Sequence, residues 1–182
     1  MRDLLADAGL DSWPVTSGSK GIHVYARLPR AVTSASASKL ARTMADGLAG
    51  QTPDLVTSAM KKAERTGRVF VDWSQNNASK TTVAPYSLRA SDRPFVAAPR
   101  TWDELGDGGL AQLTAAEVLE RLEADGDLLA DLAPAGEKSA AARRAEDSDE
   151  PLAEAVDLTA YRRKRDRQKT PEPFGDAPGE PG

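Results

Sequence analysis

The spacing of hydrophobic positions changes several times along the chain. Residues 3–8 (Asp-Leu-Leu-Ala-Asp-Ala) read as helix with Gly9 as the stop. A helix of two turns is marginal alone, so this segment is expected to be the end of a longer one. Between Gly21 and Leu28 the pattern alternates strictly, with Ile22, Val24, Ala26 and Leu28 on one face and His23, Tyr25 and Arg27 on the other. That period of two predicts a half-buried strand with a polar working face. Over 34–49 the period lengthens: Leu40, Met44 and Leu48 recur four residues apart, and Gly50 and Pro53 follow, predicting an amphipathic helix packed on the sheet. A second, shorter helix is predicted over 54–64. The β-branched and aromatic run 68–73, bounded by Gly67 and the turn-forming 74–77, predicts an inner strand. Segments 82–89 and 95–97 are weaker strand candidates. Two capping boxes, Thr101 with Glu104 and Thr114 with Glu117, start a short helix near 102 and a longer one over 115–124 that ends at Gly126.

From about residue 134 the composition shifts to Ala, Glu, Asp, Ser and Pro, with too little apolar surface to offset the entropy of ordering. The chain of 182 residues is therefore read as one α+β domain over 1–133, an antiparallel sheet with helices packed on it, and a disordered tail over 134–182. The absence of cysteine excludes disulfides and thiolate metal sites. No apolar run approaches the roughly 18 residues of a membrane span, and no secretory leader is visible, which makes the cytoplasm the expected location. The net charge of −4 hides an asymmetry. Residues 15–100 hold 13 Lys+Arg against 5 Asp+Glu, whereas residues 101–182 hold 10 against 20. Polyanionic partners are thus expected on the first half.

Chemistry-bearing residues fall in that basic half. Thr16-Ser17-Gly18-Ser19-Lys20-Gly21-Ile22-His23 combines glycines, hydroxyls and a lysine just before a strand. Such a loop can wrap a phosphate with backbone N–H groups while Lys20 adds point charge, although an ordinary tight turn reads the same way. It lacks the Gly-Lys-Ser/Thr spacing of a Walker A loop. Asp72, inside an apolar run, needs a neutralising partner: a divalent metal on one reading, the N–H groups of the 74–77 turn on the other. His23 can donate to a phosphate or be a packed residue with one satisfied nitrogen, and Arg89 can clamp a phosphate or lie solvated at a strand end. The basic run Arg162–Arg165 reads as solvated, with non-specific nucleic-acid contact as the alternative.

Four linked segments carry a family resemblance: 16–25 (Thr-Ser-Gly-Ser-Lys-Gly-Ile-His-Val-Tyr), 67–76 (Gly-Arg-Val-Phe-Val-Asp-Trp-Ser-Gln-Asn), 85–89 (Pro-Tyr-Ser-Leu-Arg) and 99–105 (Pro-Arg-Thr-Trp-Asp-Glu-Leu). In their order and spacing over roughly residues 1–130 they closely resemble the polymerase domain of bacterial DNA ligase D. That domain belongs to the archaeo-eukaryotic primase superfamily and works in non-homologous end joining. The resemblance implies that Ser17, Lys20 and Gly21, with His23, hold the triphosphate of an incoming nucleotide. It implies that Asp72 is a metal-binding catalytic carboxylate for Mg²⁺ or Mn²⁺, that Gln75 and Arg89 line the nucleotide pocket, and that Arg65 lies near nucleic acid. The partners implied are a nucleoside triphosphate and DNA ends, with no membrane.

One departure matters. The family carries an Asp-x-Asp metal pair upstream of the helix that residues 3–8 resemble, and Asp3, Asp7 and Asp11 form no such pair. The expectation is therefore a primase-polymerase domain without its N-terminal half, inactive alone. Half of a split polymerase completed by a separate polypeptide, and a non-catalytic nucleotide or DNA-end binding module, are the competing readings. The tail around Tyr161–Asp166 and Lys169–Pro173 resembles the lead-in to the family's 3′-phosphoesterase domain.

Overall fold

The structure, a computed structural model, describes residues 1–108 and 110–132. The expected tail over 134–182, with its basic run, lies outside the described residues. Ten regular elements follow one another: α1 (Arg2–Asp7), β1 (Ser12–Thr16), β2 (Ile22–Ala26), α2 (Ser34–Gln51), β3 (Val56–Thr57), β4 (Val69–Phe70), β5 (Leu88–Arg89), β6 (Phe95–Val96), α3 (Trp102–Gly106) and α4 (Ala115–Asp125). The class is α+β. The sheet consists of three two-stranded pieces among the described residues, β1–β2 and β5–β6 antiparallel and β3–β4 parallel.

The β1–β2 hairpin is central, and β1 is the strand that the hydrophobic pattern did not predict. Pro14 disguises it. The bond from Ser17 N–H to the Gly21 carbonyl (2.9 Å) sets the alternation of the antiparallel ladder, which places Pro14 and its partner Val24 at a non-hydrogen-bonded pair. The N–H that proline lacks is therefore not missed by β2. The other edge of β1 is covered by residues 98–100: Thr16 N–H donates to the Ala98 carbonyl (2.8 Å), and Arg100 N–H to the Pro14 carbonyl (2.9 Å).

The alternation in β2 is real, but its burial differs from the expectation. Ala26 and Leu28 pack against the main core cluster of Leu4, Leu5, Ala8, Leu10, Leu40 and Met44, where α1 and α2 meet. Ile22 and Val24, on the same face, are 43% and 38% exposed, because that cluster lies only at the far end of the strand. A second small core joins Val96 and Ala98 to Val118 of α4, with Tyr86, Leu113 and Leu122 around it.

Helices follow their local signals. Thr33 caps α2, accepting from Ser36 N–H, and both capping boxes are formed, at Thr101 with Glu104 and at Thr114 with Glu117. The helix expected over 54–64 is absent. In its place stand β3 and a 3₁₀ turn, Lys62–Arg65. Arg65 Nε donates to the Ala59 carbonyl (3.1 Å) and Arg68 Nη1 to the Pro53 carbonyl (3.3 Å), so side chains hold this segment in an irregular path. The inner strand expected over 68–73 shortens to Val69–Phe70, with Val69 67% exposed, because Asp72 turns the chain into a 3₁₀ turn over Trp73–Asn76. The strand candidates at 82–89 and 95–97 contract to β5 and β6.

Candidate functional site

Five residues of the hairpin tip, Ser17 to Gly21, form the first part of the site. Ser17 is buried, and its Oγ accepts from Gly21 N–H (3.1 Å) beneath the backbone bond that closes the loop. Gly18 has φ +68°, a left-handed conformation that side chains disfavour. A Cβ at this position would fall 2.8 Å from the Phe95 carbonyl oxygen and 3.0 Å from Arg89 Cβ. The loop is therefore pressed onto the β5–β6 hairpin at Arg89. Among the described residues, the N–H groups of Gly18, Ser19 and Lys20 donate to no protein acceptor, and Ser19 and Lys20 stand exposed at the tip.

His23 lies two residues beyond this loop, on the partly covered face of β2. Its Nδ1 is buried without a hydrogen-bond partner, and its ring meets the Tyr25 ring edge-on at 6.3 Å. Burial, and then the nearby Arg89 charge, hold the imidazole below its ordinary pKa, so it is kept neutral. Tyr25 Oη donates to the Val83 carbonyl (3.5 Å), and burial raises its phenol pKa. Ser17, Gly21, His23 and Arg89 are thus brought together, with Lys20 at the rim.

The second part of the site is centred on Asp72, the cap of the Trp73–Asn76 turn. Its Oδ1 accepts from Ser74 N–H (3.0 Å) and from Ser74 Oγ (2.6 Å), and its Oδ2 accepts from Gln75 Nε2 (3.0 Å). Lys80 Nζ donates in turn to Ser74 Oγ. Burial alone would raise the Asp72 pKa, but the bonds from Ser74 and Gln75 and the Lys80 charge outweigh it, and the net shift is downward. The turn-capping reading of Asp72 is what these bonds describe. The 74–77 turn was expected to supply N–H groups to Asp72, and Ser74 does; the Ser74 hydroxyl and Lys80 were not foreseen, and nothing in the pattern marks Lys80.

Arg65 is committed elsewhere. Its guanidinium lies 3.5 Å from the centroid of the Phe70 ring, while Nε and Nη2 donate to the Ala59 and Met60 carbonyls. A divalent ion needs several oxygen ligands. No group of three or more His, Cys, Asp or Glu that could hold a metal occurs among the described residues, and both Asp72 oxygens already accept hydrogen bonds. These residues do not fit Mg²⁺ or Mn²⁺ on their own.

Comparison with known proteins fits this geometry into a family. The LigD primase-polymerase domain matches residues 1–129. The chain belongs to that family. The multifunctional non-homologous end joining DNA repair protein LigD of Mycobacterium tuberculosis strain H37Rv is 53% identical over 174 residues, 96% of this chain and 21% of that protein. The bifunctional LigD of Bacillus subtilis strain 168 is 30% identical over 128 residues, 69% of this chain and 21% of that protein. The chain therefore spans about a fifth of the length of these LigD relatives. Among solved structures, the polymerase domain of Mycobacterium tuberculosis ligase D in complex with DNA matches with a TM-score of 0.70 and 59% identity, over 72% of this chain and 46% of that one. No helix among the described residues is long and apolar enough to cross a membrane.

Proposed function

We propose that this chain holds the triphosphate of a nucleotide and a DNA end for end-joining polymerisation, but does not catalyse nucleotide addition alone. The observation that carries this reading is the packing of Gly18 against Arg89, which gathers Ser17, Lys20, Gly21, His23 and Arg89 at one place. Unengaged backbone N–H groups and the Lys20 and Arg89 cations there suit a polyphosphate. Neutral His23 can donate a hydrogen bond without adding to the positive charge. The DNA-bound solved relative supports DNA ends as the second partner, and a cytoplasmic location accords with that substrate.

Phosphoryl transfer by this family would use Mg²⁺ or Mn²⁺ to neutralise developing charge, and the carboxylates described here are too few to hold the ions. Further carboxylates must therefore come from outside the described residues. The exposed Ile22, Val24 and Val69 favour, as a second reading, a separate polypeptide that supplies them by packing there. The test is titration of a fluorescent nucleoside triphosphate and a labelled single-stranded oligonucleotide at low and rising salt, beside a primer-extension assay. We expect binding that weakens with salt and weakens several-fold in Lys20→Ala and Arg89→Ala, with no extension in Mg²⁺ or Mn²⁺. Binding unchanged by either substitution overturns the phosphate site, and extension abolished by Asp72→Ala overturns the inactivity.

A further inference from the structure

Beyond α4 the chain turns back toward the hairpins. Gly126 ends the helix with φ +75°, and Asp127 follows, its Oδ1 accepting from Leu129 N–H (2.8 Å) and from the Tyr86 hydroxyl. Bonds from Ala130 N–H to the Asp127 carbonyl (3.0 Å) and from Leu132 N–H to the Leu129 carbonyl (2.9 Å) fold 127–132 into successive turns. Arg27, just past β2, donates through Nη1 to the Asp131 carbonyl (3.2 Å). This short strap therefore meets two segments distant in the chain, at Arg27 and at Tyr86.

Tyr86 is the one non-glycine residue with a left-handed φ, +65°, among the described residues. A bulky side chain disfavours that conformation, so contacts elsewhere must hold it. Its N–H donates to the Ala97 carbonyl (2.8 Å), its ring packs against the second core, and its hydroxyl reaches Asp127. Packing accounts for a ring at this place, but not for a hydroxyl aimed at a carboxylate of the strap. Burial, then the bond to Asp127 and its charge, raise the phenol pKa, so the hydroxyl keeps the proton it donates. Three residues on is Arg89, which pairs with Phe95 in the β5–β6 ladder and whose Cβ lies against Gly18. The backbone at Tyr86 thus sets how the chain enters β5 and where Arg89 stands.

We propose that Tyr86 is a positioning residue: tied to Asp127 of the strap after α4, it holds Arg89 against the Ser17–Gly21 loop. The proposal rests on the phosphate reading above and adds to it what keeps the two hairpins in register. Tyr86 acts through Arg89, and the strap acts through Tyr86.

The test uses the full chain and a fluorescent nucleoside triphosphate as the probe, with the His23 proton NMR midpoint as a second readout, because His23 senses the Arg89 charge. Tyr86→Phe keeps the ring and removes the hydroxyl; Asp127→Ala removes its acceptor, and Asp127→Asn retains an acceptor oxygen. We expect Tyr86→Phe and Asp127→Ala each to weaken triphosphate binding about threefold and to raise the His23 midpoint, and Asp127→Asn to restore most of both. In an Arg89→Met background Tyr86→Phe should weaken binding no further, since its effect passes through the missing side chain. Equal losses in both backgrounds would assign Tyr86 to general packing and overturn the proposal, as would an unchanged midpoint and affinity in both Tyr86→Phe and Asp127→Ala. Wild type that binds no triphosphate would sink the phosphate reading instead. The midpoint then decides the placement of Arg89 by itself: raised by Tyr86→Phe it supports the positioning role, unmoved it overturns it.

Discussion

His23 is the single histidine of the chain, so its imidazole resonance can be followed without assignment. Two physical causes act on it in one direction, burial first and the Arg89 cation second. The expected result is a proton NMR titration with a midpoint below 6.5, moving upward in Arg89→Met because one of the two causes is removed while burial remains. A midpoint unmoved by that substitution would separate Arg89 from the loop and remove the clustering on which the proposed phosphate site depends. The sign for stability follows. Because the folded pKa is lowered, the neutral ring contributes its full stabilisation above pH 6.5, and this is lost as pH falls through the lowered value. Asp72 acts likewise at more acidic pH, since its carboxylate is held down by Ser74, Gln75 and Lys80 against the effect of burial. At these two residues the surroundings that hold each side chain also set its protonation.

At the scale of elements, the juxtaposition of two hairpins decides whether a site exists. Gly18→Ala would combine a left-handed φ with a Cβ pushed against backbone at Phe95, a carbonyl that cannot swing aside as a flexible side chain can. We expect a loss of about 1–3 kcal/mol in urea unfolding together with weakened triphosphate binding, because the loop and Arg89 must separate. Unchanged stability and affinity would mean that the contact is not maintained in solution. The chemistry of this region was legible in the sequence as residue types, in the Ser17–His23 loop and in Arg89. Their contact was not, because it joins segments far apart in the chain. Helices α2 and α4 were legible because spacing and caps are local signals, the four-residue recurrence of Leu40, Met44 and Leu48 in one and the capping box at Thr114 in the other. Strand β1 was hidden by a proline whose missing N–H matters only once the register with β2 is known. Over 54–64, helix-favouring Ala, Lys and Glu side chains were overridden by Arg65 and Arg68, which bond carbonyls that a helix would have used internally. The amide run at 75–77 read as a turn, and the fold places it at the end of the 3₁₀ turn Trp73–Asn76.

Charge and apolar exposure on the whole molecule point to two different modes of association. The excess of cations over residues 15–100 and of anions over 101–182 would let copies attract one another head to tail. Independently, Leu55, just before β3, and Val69 of β4 are 66% and 67% exposed and joined by the bond from Val69 N–H to the Leu55 carbonyl (2.7 Å), and Met60 is 47% exposed in the loop between them. Large apolar side chains grouped in this way favour burial against another surface. The two causes respond oppositely to salt. Charge attraction is screened as ionic strength rises, with a Debye length of about 3 Å at 1 M, whereas apolar association strengthens in sulfate. We expect sedimentation velocity to show concentration-dependent self-association that persists or grows in ammonium sulfate and is reduced by the double substitution Leu55→Lys and Val69→Lys. Both positions are exposed, so lysine there buries no charge and should leave the fold intact. Association that vanishes at high salt and ignores the double substitution would assign it to the two oppositely charged parts of the chain. A monomer under every condition would show that the β3–β4 surface tolerates water.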